Sequence, residues 1–223
     1  MSDIKAVIFD LDGTLLDTLG DLADGVNYAL TQYGYPERSI DEVRHFVGNG
    51  VRNLMQQAIP EGLMSPHFEE CLHTFKDYYS KNMQNKTRPY DGVLEMLDAV
   101  RDAGCKSAIV SNKFDRAVKE LAKDHFGGHI EVAIGESSRT PKKPAPDCVY
   151  EALMQIGVSK EQAIYVGDSE VDVRTAHNAG IPCVAVTWGF RDRDVLVAEG
   201  ADYIVDRPAE LMQLIFAFRP EHT

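Results

Sequence analysis

The chain has 223 residues, 44% of them hydrophobic, enough to bury a sizeable core in one large domain or in an ordinary domain with a small companion. Its formal net charge of -12 argues against a surface built to neutralise nucleic-acid phosphates or anionic lipid, because both call for a basic face. Cys71, Cys105, Cys148 and Cys183 are widely spaced with no C-x-x-C pair, so neither a disulfide framework nor a thiolate metal site is indicated.

The segment Met-Ser-Asp-Ile-Lys leads into an apolar run that Asp10 interrupts too early for a signal-peptide core or a membrane span, and a cytoplasmic location is expected. That run predicts a strand over 5–10, followed directly by "DLDGT". From 17 to about 85 no strand is required. Leu19, Leu22, Ala23, Val26, Ala29 and Leu30 form one helical stripe, and Phe68, Leu72, Phe75 and Tyr79 form another. Between them, Ser39-Ile40-Asp41-Glu42 is a capping box ahead of Val43, Phe46 and Val47. Gly48-Asn49-Gly50 reads either as a helix stop and restart or as a loop facing a site. The segment is therefore expected to be an all-helical insertion that leaves the main body near 17–21 and rejoins it near 85–89. Two crossings make a hinge, as in a mobile cap over strand ends.

From about residue 90 onward, strands predicted at 106–111, 130–134, 163–167, 182–187 and 202–205 alternate with helical patterns. Val93, Met96, Leu97 and Val100 carry one such pattern, Val149, Leu153 and Ile156 another, and a helix over 208–218 closes the fold. The fold class read from this order is α/β, a Rossmann-like parallel sheet with helices on both faces. The core domain takes 1–16 and 87–223, and the inserted helical cap domain takes 17–86.

In open parallel sheets ligands gather beyond the carboxyl ends of the strands. Three predicted strands end in polar groups there: Asp10 and Asp12, then Ser111, Asn112 and Lys113, then Asp168 with Asp172 close behind. Lys143 stands in the proline-constrained "KKPAP". Two carboxylates about 4 Å apart repel by roughly 4 kcal/mol at an effective dielectric near 20, so such a set calls for a cation. The donors are all oxygens, which selects a hard ion, and Mg²⁺ suits few carboxylates with waters and a substrate phosphate. Within "DLDGT" one carboxylate can be a nucleophile and the other can shuttle a proton. Gly13 lets the backbone turn close to the phosphate or metal, and Thr14 supplies a further hydroxyl or N–H.

"DLDGT", "SNK", "KP" and "GDSEVD", in this order and with a helical insertion between the first two, resemble the haloacid dehalogenase superfamily over essentially the whole chain. Within it, the pattern is similar to the phosphoglycolate phosphatase-like branch with a helical cap. The resemblance implies that Asp10 forms an aspartyl-phosphate, with Mg²⁺ on Asp10, the Asp12 carbonyl and Asp168. Asp12 would protonate the leaving alcohol and then deprotonate water. Ser111 and Asn112 would hold phosphoryl oxygens, Lys143 would offset their charge, and Asp172 would support the metal or hold Lys143. Lys143 fits the Lys-Pro-x-Pro spacing and Lys142 does not. Glu170 fits the family pattern less firmly.

In the cap, Asn49 and Arg52 are candidates for the nonreacting end of the substrate, with Arg44 and His45 nearby; an Arg suits a carboxylate. The expected function is Mg²⁺-dependent hydrolysis of a small phosphorylated metabolite, first 2-phosphoglycolate, by a monomer or homodimer with no nucleic-acid or membrane partner. A β-phosphoglucomutase-like phosphotransferase, which Thr14 disfavours, a pyrophosphatase or nucleotidase, and a noncatalytic phospho-ligand sensor are the alternatives. "GNGVRN" lacks the third Gly of a dinucleotide fingerprint, and no P-loop run is present.

Overall fold

In the computed structural model, which describes residues 3–138 and 140–218, the first apolar run becomes strand β1 (Ala6–Phe9), buried along its whole length. A two-residue strand β2 (Leu16–Asp17) follows, then helices α1 (Leu19–Gln32), α2 (Ile40–Phe46), α3 (Val51–Ala58) and α4 (Phe68–Asn82), then β3 (Arg88–Pro89). The remainder alternates as predicted: α5 (Val93–Asp102), β4 (Lys106–Phe114), α6 (Asp115–Phe126), β5 (Val132–Glu136), α7 (Asp147–Ile156) and β6 (Ala163–Gly167). It finishes with α8 (Glu170–Ala179), β7 (Cys183–Val186), α9 (Arg193–Glu199), β8 (Tyr203–Val205) and α10 (Pro208–Ala217). The expected core span includes 1–2, 139 and 219–223, which lie outside the described residues.

The main sheet is parallel throughout, in the order β5-β4-β1-β6-β7-β8. Strand alternation divides the core between its faces. Val7, Phe9, Ile109, Ile164, Val166, Val184 and Val186 join one cluster with Val93 and Leu97 of α5, Val118 of α6 and Leu211 of α10. Ala6, Ile8, Ala108, Val110, Tyr165 and Cys183 face the other way, onto Val149 and Leu153 of α7 and Val173 and Ala176 of α8. All four cysteines are buried thiols outside any disulfide. Among the described residues no helix is long and apolar enough to cross a membrane.

β1 lies between β4 and β6, so the strand order reverses beside it and a crevice opens at its carboxyl end. Two departures from the sequence reading shape that crevice. β4 runs to Phe114 rather than ending at 111, and its pairing with β5 shifts register between Val110 and Phe114. Such an irregularity re-aims the side chains it contains, here Ser111, Asn112 and Lys113. β2 and β3, unforeseen in the sequence, pair antiparallel where the chain leaves for the helices and returns. The capping box of α2 forms as expected, with Glu42 N–H donating to Ser39 Oγ and Ser39 N–H donating to Glu42 Oε2.

The returning segment just before β3 is tied to α1 by Asp21, a buried carboxylate that accepts from Lys86 N–H at 3.0 Å, Thr87 N–H at 2.9 Å and Thr87 Oγ1 at 2.8 Å. Asp21→Ala leaves these donors without their acceptor. It should lower stability by about 2 kcal/mol in equilibrium denaturant unfolding, where a neutral outcome would show that the tie is dispensable.

Candidate active site

Three carboxylates and one ammonium meet at the crevice. Lys143 Nζ stands 2.9 Å from Asp10 Oδ1 and 2.7 Å from Asp172 Oδ1. Oxygens of Asp10, Asp168 and Asp172 all lie within 4.8 Å of one another, and all three residues are buried. Asp172 is fully engaged: Lys143 and Tyr165 donate to Oδ1, and Ser169 donates its N–H and hydroxyl to Oδ2. Burial would push the Asp172 pKa up, but the Lys143 charge and these hydrogen bonds hold it below the ordinary carboxylate value. Burial alone would lower Lys143; Asp10 and Asp172 instead keep its charge above the usual range.

Asp10 and Asp168 lack such compensation. Burial, then Asp172, hold Asp10 well above its ordinary value against the pull of Lys143. Asp168 is raised to about 7, again by burial first and Asp172 second. Its carboxylate accepts from Thr14 Oγ1 at 3.0 Å and Phe190 N–H at 2.8 Å, and is wedged between two backbones. A Cβ added at Gly13, whose φ is +83°, or at Gly189 would lie 2.3 Å from an Asp168 atom. An all-oxygen, net-negative cradle of this kind fits a hard divalent cation, with Asp10 and Asp168 as the carboxylates left to hold it.

The adjoining pocket has a free volume of about 40 Å³ and is lined by Asp10, Asp12, Ser111, Asn112, Lys113 and Asp168 from the sheet. Its other walls include Leu22, Val47, Gly48, Gly50, Val51 and Leu54 of the helical insertion, with Phe190 and Arg191. Core donors grip the main chain of that roof. Arg191 donates to the carbonyls of Arg44 at 3.0 Å and Val47 at 2.7 Å while pairing with Glu170. Asn112 Nδ2 donates to Gly48 O at 3.1 Å, and Lys142 Nζ to Asn49 O at 3.1 Å.

The predicted site residues divide accordingly. Asp10, Asp12, Ser111, Asn112 and Asp168 reach the pocket, and Lys143 stands behind Asp10. The Asn112 side chain is committed to main-chain groups, accepting from Lys143 N–H and donating to Lys143 O as well as Gly48 O. Gly13 and Thr14 serve Asp168 rather than line the pocket. Arg52 is not brought there: its guanidinium pairs with Glu69 and lies over the Phe68 ring. Asn49 contributes its carbonyl to Lys142, and His45 bonds Asp41 O on the exposed side. Arg44 reaches Phe190 O and Asp192 instead. The sequence offers Lys113 at a strand end without a role and gives no signal for Arg191, whereas Gly13 within "DLDGT" marks a close backbone approach.

The family model of the haloacid dehalogenase-like hydrolases matches residues 7–186. A phosphoglycolate phosphatase of Pseudomonas putida is 34% identical over 208 residues, covering 91% of this chain and 76% of that protein. An N-acetylmuramic acid 6-phosphate phosphatase of Pseudomonas aeruginosa is 32% identical, covering 95% of each chain. A crystal structure of a Lactobacillus delbrueckii subsp. bulgaricus chain superposes with a TM-score of 0.91 at 36% identity, covering 96% of this chain and 99% of that one.

A folded value near 7 for Asp168, against 3.8 ordinarily, means that the folded chain holds a proton which the unfolded chain has released. The corresponding stability is full below the unfolded value and is lost as pH rises through about 7. A divalent cation held there would take the place of the proton. Thermal unfolding should therefore show a larger cation-induced rise in Tm at pH 8 than at pH 5.5, with most of it removed by Asp168→Asn; a rise independent of pH would contradict the assignment.

Proposed function

The chain belongs to the haloacid dehalogenase-like hydrolases, and we propose that it hydrolyses a small phosphorylated metabolite, 2-phosphoglycolate first, through an aspartyl-phosphate on Asp10. The observation that carries this reading is the asymmetry of Asp10. Its Oδ1 accepts from Leu11 N–H at 2.7 Å and meets Lys143 at 2.9 Å, while Oδ2 has no protein donor among the described residues. One oxygen is fixed and the other is available to attack.

In the first step Asp10 Oδ2 forms a bond to phosphorus as the bond to the alcohol oxygen breaks, and Asp12 gives that oxygen a proton. In the second, Asp12 takes a proton from water, whose oxygen attacks phosphorus and releases phosphate and free Asp10. Ser111 and the charge of Lys143 hold the phosphoryl oxygens. Asn112 serves by fixing Lys143 and the Gly48 carbonyl. The cofactor we assign is Mg²⁺, held by Asp10, Asp168 and the Asp12 carbonyl, with Asp172 behind Lys143. When bound it supplies charge stabilisation to the phosphoryl group.

Residues 17–86 act in this reading as a mobile cap. A free volume of about 40 Å³ holds one or two water-sized groups, so the roof at 47–51 lifts to admit substrate. A small substrate is favoured by the names of the relatives. Its carboxylate end suits α3, which starts at the pocket wall and has no side-chain cap, leaving first-turn N–H groups for an anion.

Phosphate release from a panel containing 2-phosphoglycolate, N-acetylmuramic acid 6-phosphate and sugar phosphates tests the proposal. The expected outcome is Mg²⁺-dependent turnover that prefers 2-phosphoglycolate and falls by about 1,000-fold or more in Asp10→Asn; survival of more than about 5% of the rate would exclude Asp10 as nucleophile.

A further inference from the structure

Lys113 is the second buried ammonium of the site, and the steps above leave it unused. Its side chain is 3% exposed, and Nζ lies 3.0 Å from Asp12 Oδ1 and 3.3 Å from Oδ2. The same nitrogen donates to Tyr79 Oη at 2.6 Å and sits 4.6 Å from the centre of that ring. Tyr79 belongs to α4 of the helical insertion, is fully buried, and is fixed by stacking on Phe75 and by an edge contact with Phe114 of β4. Two elements that meet only in the folded state thus hold one ammonium against the carboxylate of Asp12.

We propose that Lys113, anchored by Tyr79, is the positioning residue that aims Asp12 for proton transfer, an inference that rests on the acid–base reading of Asp12. As the acid gives its proton to the leaving oxygen, negative charge grows on the Asp12 carboxylate. The ammonium 3.0 Å away therefore interacts more strongly in the transition state than before it. Anchoring by the insertion adds a condition: α4 must be seated for Lys113 to be held where it is.

Leaving-group dependence separates this role from a general one. p-Nitrophenolate departs without a proton, whereas the alkoxide of an alkyl phosphate needs one, so only the alkyl substrate depends on the acid. The value of kcat/KM, which stops at the first bond cleavage, reads this without interference from the water step. Lys113→Met should lower kcat/KM for the preferred alkyl phosphate by about 100-fold and for p-nitrophenyl phosphate by less than about 5-fold, matching the selectivity of Asp12→Asn. Tyr79→Phe, which keeps the ring and removes one partner of the ammonium, should give the same selectivity with a loss of about 5-fold, and it carries the test if Lys113→Met fails to fold.

Equal losses on both substrates would assign Lys113 to phosphoryl binding and overturn the proposal, as would unchanged rates on both. If Asp12→Asn itself loses both substrates equally, the acid–base reading of Asp12 fails and the inference falls with it. If Asp12→Asn is selective and Lys113→Met and Tyr79→Phe are not, only the positioning role fails.

Discussion

Asp10, Asp168 and Asp172 are buried side by side while the Lys143 ammonium pairs with Asp10 and Asp172, and that imbalance governs the architecture around it. The lysine is fixed at both ends. Asp10 and Asp172 hold its charge, and the Asn112 amide brackets its main chain by accepting from its N–H and donating to its carbonyl. Since Asp172 has two donors on each oxygen, most of the compensation flows to it, and the uncompensated charge concentrates on Asp10 and Asp168. Burial then makes these two the groups that favour a proton or, in the proposed reading, a cation. The close packing follows from the same requirement. Asp168 can be brought beside Asp10 only if the chain on both sides of it has no side chain in the way, which Gly13 and Gly189 provide.

The parts of the site that were legible in the sequence share a local cause. Asp10, Asp12 and Asp168 stand where apolar strand runs stop, and a carboxylate at that boundary is conspicuous without knowledge of the fold. The capping box of α2 needs only four consecutive residues. What escaped notice depends on distant partners or weak periodicity. Lys113 pairs with Asp12, 101 positions earlier, and Arg191 with the carbonyl of Val47, 144 positions earlier. β2 and β3 have two residues each, too few to show an alternation. After Val110 the sequence turns polar and resembles a loop, yet Ser111, Asn112 and Lys113 are buried in the strand because their polar ends meet partners there. Arg52 shows the reverse error of proximity: it follows the site-facing Gly50 and Val51, but helical phase turns Val51, Leu54 and Met55 inward and sends its guanidinium to Glu69.

Closure of the roof is arranged on a different chemical basis from the centre. The centre relies on charged side chains at named positions, whereas four contacts on 44–49 fall on the main-chain carbonyls of Arg44, Val47, Gly48 and Asn49, beside the side-chain contact of Arg44 with Phe190 O and Asp192. The donors to those carbonyls come from the core: Arg191, Asn112 and Lys142. Every residue type presents the same carbonyl, so this part of the grip does not depend on which side chains the roof carries, provided the backbone keeps its path. The path in turn depends on the turn around Gly48 and Gly50, whose φ values of +122° and +83° lie where other residues are strained. Roof side chains other than Arg44 are therefore free to vary without loosening these bonds, while a change at either glycine would disturb the backbone path they depend on. In the proposed reading that separation leaves selectivity to the insertion and chemistry to the sheet, with the hydrogen bonds to the Arg44, Val47, Gly48 and Asn49 carbonyls joining the two through the backbone.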